Sequence, residues 1–254
     1  MRGLVIVLAM PALVLPPALL GVILVRGWPG MGQIDALLGQ LSGSLLLAGI
    51  GCSLATPIAL GLAVWLRLQE RQAMPWLRLL QLLQGVPPLV FGLCGMMLLV
   101  QGLHWGMSLM AGGIVLAVVV LPQMSMNYLA ALERVPREWT EAARSLGLDD
   151  PAVVLRVWLP GAWQGLLTGL LLGLARSLAE TAPVLFTAAV FSGVVWPTSL
   201  WSPVTTLQTH IFYLAQEGID ERAMDSAWTA AAVLVTLVLI FSLSALWIRL
   251  RSLR

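Results

Sequence analysis

The chain has 254 residues, of which 59% are hydrophobic and only 10% charged, and its mean hydropathy is +0.92. Because about a quarter of the residues in a soluble domain are charged, this composition excludes a soluble globular protein. One bilayer crossing takes about 20 apolar residues, so the length suits roughly six helices joined by short connections. We therefore expect an all-α, polytopic membrane protein with one transmembrane domain over residues 1–254.

The net charge of +2 comes from 14 arginines against 12 acidic residues, and the sequence contains no lysine. A Walker A loop needs a lysine, so we do not expect the chain to hydrolyse ATP itself. Cys52 and Cys94 form no CxxC motif, and His104 and His210 stand alone in separate connections. We expect no catalytic residue, metal, cofactor or nucleic-acid partner.

Apolar runs between charged residues predict six transmembrane helices. Their expected ranges are 4–25, 43–66, 79–101, 109–131, 162–190 and 226–248. A cleaved signal peptide is the alternative for the first range. Its apolar run of about 22 residues is longer than the usual core of such a peptide, and no small-residue cleavage motif follows it. The first range is therefore interpreted as a transmembrane helix.

The arginines fall mainly on one side of the predicted helices. Eleven of them lie before the first helix, between helices two and three, between helices four and five, or after the last helix: Arg2, Arg67, Arg71, Arg78, Arg134, Arg137, Arg144, Arg156, Arg249, Arg251 and Arg254. The connections on the opposite side hold only Arg26 and Arg222. The positive-inside rule then places both termini in the cytoplasm.

Two connections are too long to be simple turns, and function is expected there. The outer one covers residues 191–225 and contains an apolar stretch, 205–215, that is too short to cross a bilayer. We expect a partial or re-entrant helix there that covers the outer mouth, with an interfacial helix that only packs as the alternative. The cytoplasmic connection covers residues 132–160.

The cytoplasmic connection predicts two short helices. Residues 136–147 form the first, with Gly147 as its C-terminal stop. Asp149-Asp150 then offers a carboxylate cap for a second helix, which has Pro151 at its first helical position and is expected to end at Leu159-Pro160. A loop that only joins two transmembrane helices would not need this structure.

Residues 141–160 read EAARSLGLDDPAVVLRVWLP, which resembles the cytoplasmic signature of importer-type ABC permeases. The matching positions are Glu141, Ala142, Ala143, Gly147, Val157, Leu159 and Pro160. In that family the loop carries a coupling helix that seats in a cleft of the ATP-binding subunit. The resemblance implies the same role here, with Ala142-Ala143 as a flat docking surface. An amphipathic helix lying on the membrane surface is the alternative.

Three further segments resemble the A-type permease subunits of phosphate importers. They are QGVPPLVFGL at 84–93, the LP and ALERVP elements within 121–136, and ARSLAETAPVLFTA at 175–188. Two positions depart from the pattern of that family: Pro88 stands in place of a Ser, and Ala179 stands in place of a Gly. The resemblance implies a MetI-like type I importer fold and a permease subunit that is not an enzyme. Its implied partners are a second permease, two ATP-binding subunits, a phosphate-binding protein and membrane lipid.

Arg176 and Glu180 are the only charged residues inside a predicted transmembrane helix. On insertion scales, each charged side chain at the centre of a transmembrane helix costs about 2.5–3.5 kcal/mol of free energy. The two charges must therefore be compensated. Their spacing predicts an ion pair on one helix face, and this pair could simply lock two helices together. In the functional interpretation, the pair and Thr181 line a substrate pathway. The guanidinium would donate to phosphate oxygens, and the carboxylate would accept a hydrogen bond from a protonated phosphate, which sulfate cannot donate.

Two features concern the backbone of the predicted helices. Gly85 and Pro87-Pro88 are expected to break or kink helix three near its cytoplasmic half. A stripe of small residues is expected to pack helix five closely against a neighbour. That stripe consists of Gly161, Gly165, Gly169 and Gly173.

Three alternatives to a phosphate permease of the A type stay open. The chain could carry another oxyanion such as molybdate or sulfate, or it could be the C-type phosphate permease partner. It could also be a stand-alone proton-coupled carrier that uses Arg176 and Glu180. The carrier leaves the coupling-type loop unexplained.

Overall fold

The structure, a computed structural model, describes residues 2–69, 73–190, 196–217 and 220–251. Within these ranges the chain forms α1 (Arg2–Gly27), α2 (Leu38–Leu68), α3 (Met74–Gln84), α4 (Pro88–Gly95), α5 (Leu109–Glu133), α6 (Arg137–Ser145), α7 (Asp150–Val153), α8 (Leu159–Ala179), α9 (Ala182–Thr187), α10 (Leu207–Glu217) and α11 (Glu221–Arg251). A 3-10 helix (Trp28–Leu37) joins α1 to α2. Two π-helical turns, Met96–Gly102 and Val154–Trp158, follow α4 and α7.

Five helical stretches are long and apolar enough to cross a membrane. They are Val14–Gly32, Ile34–Leu68, Leu109–Glu133, Asp150–Ala179 and Glu221–Arg251, and α3 with α4 makes a sixth if that bent pair counts as one span. The described part of the chain contains no β-strand, only one isolated bridge between Ala189 and Val204. The expected all-α class and the number of spans are confirmed.

The third predicted helix is bent, as its sequence indicates. α3 ends at Gln84, α4 begins at Pro88, and the two axes meet at 86°. Pro87 and Pro88 lack the N–H groups that would continue the helix, so the chain turns there. The broken segment also begins earlier than the predicted range 79–101, at Met74.

The fifth predicted helix, 162–190, is wrong at both ends. The helix starts at Asp150 and runs through the π-helical turn and Pro160 to Ala179, so no short helix ends at Leu159-Pro160. A proline normally interrupts a helix because it lacks an N–H. A π turn just before Pro160 accommodates that loss. At the other end the helix stops before Glu180, and α9 follows as a separate element.

Small residues bring the central helices together. The buried face of α2 carries Cys52, Ala55, Ala59 and Ala63, and it packs closely against α5. Between helices in lipid there is little hydrophobic driving force, so association depends on close packing of such small residues. Among the candidate spans, α5 has the largest buried share: 61% of its most apolar stretch is buried inside the protein.

The predicted glycine stripe packs within the chain, against α5. A Cβ at Gly169 would lie 2.8 Å from the Tyr128 ring, and one at Gly173 would lie 2.8 Å from the sulfur of Met124. Gly161 and Gly165 face Val135 and Ala131 in the same way. The expected close helix contact is confirmed, and its partner is α5.

The remaining helices surround this centre. α1 packs mainly on α11, where Gly27 lies against the backbone of Trp228. α10 confirms the partial helix expected near 205–215, and it packs on α11 and α2. The first turn of α5 is capped from the outer connection, because Leu109 and Met110 donate their N–H groups to carbonyls of that connection at 3.0 and 2.9 Å. Residues 191–195 of the outer connection lie outside the described ranges.

We expect Gly169→Ala to destabilise the protein, because the new Cβ meets the Tyr128 ring and forces overpacking of about 1–3 kcal/mol. Gly61→Ala is the matched control, since Gly61 also lies in a transmembrane helix but has open space around its Cβ. The control should keep or slightly raise the thermal midpoint. Thermal unfolding in detergent measures both, and equal midpoints for the two variants would contradict the close α5–α8 contact.

Candidate functional site

A charged pair lies where α8 ends. Nε of Arg176 is 2.7 Å from Oε1 of Glu180, so the expected ion pair is formed. Arg176 is in the last turn of α8, whereas Glu180 follows the helix with an extended backbone (φ −84°, ψ 117°). The expectation that both residues share one helix face is therefore wrong, because the helix stops between them.

The two members of the pair differ in exposure. The Glu180 side chain is 10% exposed, and that of Arg176 is 45% exposed. Nε of Arg176 makes the close contact with the carboxylate, and the two terminal nitrogens make no hydrogen bond to the described residues. A guanidinium at membrane depth that presents unused donors needs a water-filled cavity, a ligand or another subunit beside it.

The break between α8 and α9 exposes backbone groups that need partners. The amide of Gln208, on α10, donates to the carbonyl of Leu178 at 2.5 Å. Ser44 on α2 donates to the Gln208 carbonyl at 2.9 Å, and its hydroxyl accepts from the Leu207 N–H at 2.9 Å. Both Ser44 and Gln208 are buried, so this network replaces the water that a bilayer cannot supply.

Ser44 and Gln208 were missed at the level of sequence. Each is an uncharged polar residue in a helix with many small or apolar neighbours, and that signal is weak. Their role depends on three elements meeting at one break, which a single sequence does not specify. Thr181, which was expected beside the charged pair, lies in the break itself and is half-buried. Its carbonyl accepts the Leu185 N–H at 3.1 Å.

A second candidate region is the α6 segment, residues 134–149. The expected helix is present as α6, and Gly147 adopts the expected left-handed conformation with φ of +84°. Gly147 donates to the Arg144 carbonyl at 2.9 Å and Leu148 donates to the Ala143 carbonyl at 3.1 Å, which together form a Schellman stop. Of the two carboxylates expected to cap the next helix, Asp149 does so by accepting the Ala152 N–H at 3.1 Å, and the helix begins at Asp150, one residue before the expected Pro151.

The exposed surface of the α6 segment differs from the expected one. Ala143 is only 7% exposed and belongs to the protein's own core, so it is not half of a flat outer surface. Glu141 and Ala142 are exposed, and Leu146 is 82% exposed.

Leu159 and Pro160 lie inside the long helix, at the end of α8 opposite the charged pair. Pro160 and Arg176 are 16 residues apart, so at a rise of 1.5 Å per residue they are separated by about 24 Å along the axis. The two groups of candidate residues therefore form two separate sites joined by one helix. No group of three His, Cys, Asp or Glu residues lies close enough to hold a metal ion within the part of the chain that the structure describes.

A bundle of five or six apolar helices with a charged pair at a broken helix defines an integral membrane protein of the transporter type. Residues 55–251 match the family described as "Binding-protein-dependent transport system inner membrane component". The match covers more than half of the chain, so the protein belongs to this family.

Two curated relatives are phosphate transport system permease proteins. The sequence is 32% identical over 221 residues to PstA of Xylella fastidiosa (strain Temecula1 / ATCC 700964), covering 84% of this chain and 76% of that protein. It is 34% identical over 160 residues to PstA 2 of Mycobacterium tuberculosis (strain CDC 1551 / Oshkosh), covering 63% of this chain. The aligned part spans about half of that relative, 53% of its length.

The fold also resembles that of a solved transporter. A chain of the inward-facing MetNI methionine ABC transporter superimposes with a TM-score of 0.68, covering 85% of this chain and 98% of that one at 15% identity. At this identity the likeness shows the fold alone. It confirms the expected MetI-like architecture.

We expect Gly147→Ala to loosen the end of α6, because an alanine at φ of +84° costs about 1–2 kcal/mol. No atom lies within 4 Å of the position that a Cβ would take, so the effect isolates backbone strain from any clash. Gly147→Asn is the matched control, since asparagine tolerates this conformation. Hydrogen exchange of the amides after α6 should rise in the alanine variant and stay close to wild type in the asparagine variant. Equal amide hydrogen exchange in the two variants would contradict the predicted backbone strain of an alanine at position 147.

Proposed function

We propose that the protein is a permease subunit of an ATP-driven phosphate importer and forms part of the path of inorganic phosphate across the membrane. The similarity to curated phosphate permeases supports the substrate class. The subunit is not catalytic, and ATP is hydrolysed by a separate partner. The Arg176–Glu180 pair at the break after α8 is the structural observation that carries the proposal.

The chemistry of the pair fits an oxyanion. Glu180 holds the guanidinium of Arg176 through Nε, which leaves the two terminal nitrogens as a planar set of donors. Such a fork matches two oxygens of a phosphate group, and charge-assisted hydrogen bonds of this kind are about twice as strong as neutral ones. A single exposed guanidinium also binds weakly enough to release its ion, which a translocation path requires.

The pair also suggests how phosphate would be distinguished from sulfate. Glu180 gives one oxygen to Arg176, and an ionised carboxylate has further lone pairs with which to accept a hydrogen bond. Monohydrogen phosphate carries a proton that it can donate, and sulfate at neutral pH carries none. A sulfate ion would therefore meet a carboxylate with which it cannot form a hydrogen bond. Thr181, in the same break, adds a hydroxyl that can donate or accept.

The α6 segment is proposed as the coupling element. Glu141, Ala142 and Leu146 form its exposed face, and Gly147 sets the direction in which the chain leaves α6. Ala143, Leu159 and Pro160 act from inside by packing and by continuing the helix toward the charged pair. An ATP-binding subunit docked on this face would move α6 as it closes, and the movement would reach the membrane helices to produce alternating access.

The proposal names four partners besides lipid. The family description "Binding-protein-dependent" supports a binding protein, here one that holds phosphate. Two copies of an ATP-binding subunit would dock on the permeases. A second permease would complete the path, and the sequence is also similar to PstC of Haemophilus influenzae, at 27% identity over 246 residues. The exposed fork of Arg176 would face the interior between the two permeases.

The proposed location is the plasma (inner) membrane of a bacterium, with both termini and the α6 segment in the cytoplasm. The unequal distribution of arginines supports this orientation. In it, the α8–α9 break lies toward the outer half of the membrane and α10 covers it from outside.

We expect Arg176→Lys to lower phosphate uptake about tenfold or more, because lysine keeps the charge but loses one bidentate contact of about 1.5–3 kcal/mol. The assay is uptake of labelled phosphate by proteoliposomes that contain the complete importer and its binding protein. Arg222→Lys is the control, since Arg222 is exposed at the start of α11 and outside the proposed path. Uptake by Arg176→Lys equal to that of the control, with the complex intact, would exclude a phosphate-binding role.

The structure also decides which variants can test the pair. Exchanging the two charges would place an arginine at the narrow, 10% exposed position 180, so such a swap would fail in either interpretation. Glu180→Gln is the better companion, because it keeps the shape and an acceptor for Arg176. We expect it to reduce the preference for phosphate over sulfate in the same assay. An unchanged preference would exclude Glu180 as the discriminating group.

We expect a cysteine at Ser145 to be protected from impermeant thiol reagents in intact cells, because the α6 segment is proposed to face the cytoplasm. Ser145 is exposed, so the same cysteine should react in inside-out vesicles. The experiment is done in a Cys94→Ser background, since Cys94 is the exposed native cysteine and Cys52 is buried. Reaction in intact cells would reverse the proposed orientation.

A further inference from the structure

Arg67, in the last turn of α2, lies at the junction of several elements near the α6 segment. Its guanidinium stacks on the ring of Trp158, with Cζ 3.9 Å from the ring centroid. Trp158 is 3% exposed, and Arg67 is half-buried. A cation stacked on a buried tryptophan is among the stronger cation–π contacts, because little water competes for the cation.

The same guanidinium binds the end of α5. One terminal nitrogen donates to the carbonyl of Leu132, and the other donates to the carbonyl of Val135 at 3.2 Å. The last carbonyls of a helix lack partners within the helix and carry partial negative charge, so a cation is favoured there. Arg67 thus fixes the end of α2 to the end of α5 and both of them to Trp158.

Trp158 continues this connection to α6. Its indole N–H donates to the hydroxyl of Thr140, which lies in the middle of α6, at 2.9 Å. α6 packs chiefly on α7 and on the π-helical turn that ends at Trp158. A chain of direct contacts therefore runs from α2 and α5 through Arg67 and Trp158 to Thr140.

An open cavity lies beside this chain of contacts. Its volume is about 970 Å³, and its lining includes Arg67, Leu68, Thr140, Glu141 and Trp158. The Arg67–Trp158–Thr140 contacts bridge the ends of α2 and α6 beside this open space, and Ala143 adds a buried contact of α6 with the core.

We propose that Arg67 is a positioning residue that transmits movement of α6 to α2 and α5. This inference rests on the proposed function, in which an ATP-binding subunit docks on α6. Arg67 serves this role because its planar guanidinium can stack on Trp158 with its face while its edge donates to two carbonyls. A lysine has the charge but neither the flat face nor the fork.

The test compares Arg67→Lys with Arg78→Lys in proteoliposomes that hold the complete importer, its binding protein and labelled phosphate. Arg78 is exposed on α3 and serves as the matched control. We expect the phosphate transported per ATP hydrolysed to fall about tenfold in Arg67→Lys, since a stacked, desolvated cation contributes roughly that factor to an equilibrium. ATP hydrolysis and the amount of assembled complex should stay near wild type. A purely structural role would lower assembly or thermal stability and leave this ratio unchanged, and that result would overturn the proposal.

Two further variants test the rest of the connection. Trp158→Phe keeps an aromatic ring for Arg67 but removes the N–H donor, and Thr140→Val removes the acceptor while keeping the shape. Each should lower the same ratio. The double variant should be no worse than either single one, because both break the same hydrogen bond. Additive losses, or no loss in either, would contradict transmission through this bond.

A spin-label distance separates failure of this inference from failure of the proposed function. Labels at Ser145 on α6 and at Gly61 on α2 report the position of α6 with no substrate present, in a Cys94→Ser background. Arg67→Lys should broaden the distance distribution, and Arg78→Lys should not. If wild type transports no phosphate, the proposed function fails, and this distance still decides the role of Arg67. An unchanged distribution would then overturn it.

Discussion

The requirement that every backbone N–H and C=O at membrane depth find a partner governs this structure. A continuous helix meets it without help, so the places where a helix stops are the places where side chains from other elements must converge. The carbonyl of Leu178 is satisfied by Gln208 because α8 ends early, and Ser44 holds Gln208 in turn. The same break places the Arg176–Glu180 pair at the end of α8. Arg176 lies in the last turn of the helix, and Glu180 follows the helix with an extended backbone.

Close packing of small residues makes these convergences possible. α5 is enclosed by the alanine face of α2 on one side and by the glycine stripe of α8 on another. These contacts fix the three helices as a rigid centre, and the two candidate sites lie at its opposite ends. A rigid α8 between them would carry a displacement at Trp158 to Arg176 with little loss along its length.

Patterns that depend on local chemistry predicted the structure well. Gly147 adopts a left-handed conformation and one carboxylate of the Asp149-Asp150 pair caps the next helix, because a turn or a cap is decided by a few adjacent residues. The α8 boundaries were wrong because they depend on events outside a hydropathy window. Pro160 is accommodated by a π turn, and α8 ends at Ala179, where Gln208 of α10, held by Ser44 of α2, bonds the Leu178 carbonyl. The sequence identifies Arg67 only as one of eleven positive charges on the same side. Its contacts with α5 and Trp158 are not predictable from the sequence, because the partners lie 65 to 91 positions away along the chain.

The packing of α1 on α11 has a consequence for biogenesis. During synthesis α1 enters the bilayer long before α11 exists, so it must reside in lipid without its partner. Its composition allows this, because only 6% of its most apolar stretch is buried inside the protein. The contacts between α1 and α11 can form only after α11, the last helix of the described chain, has been synthesised.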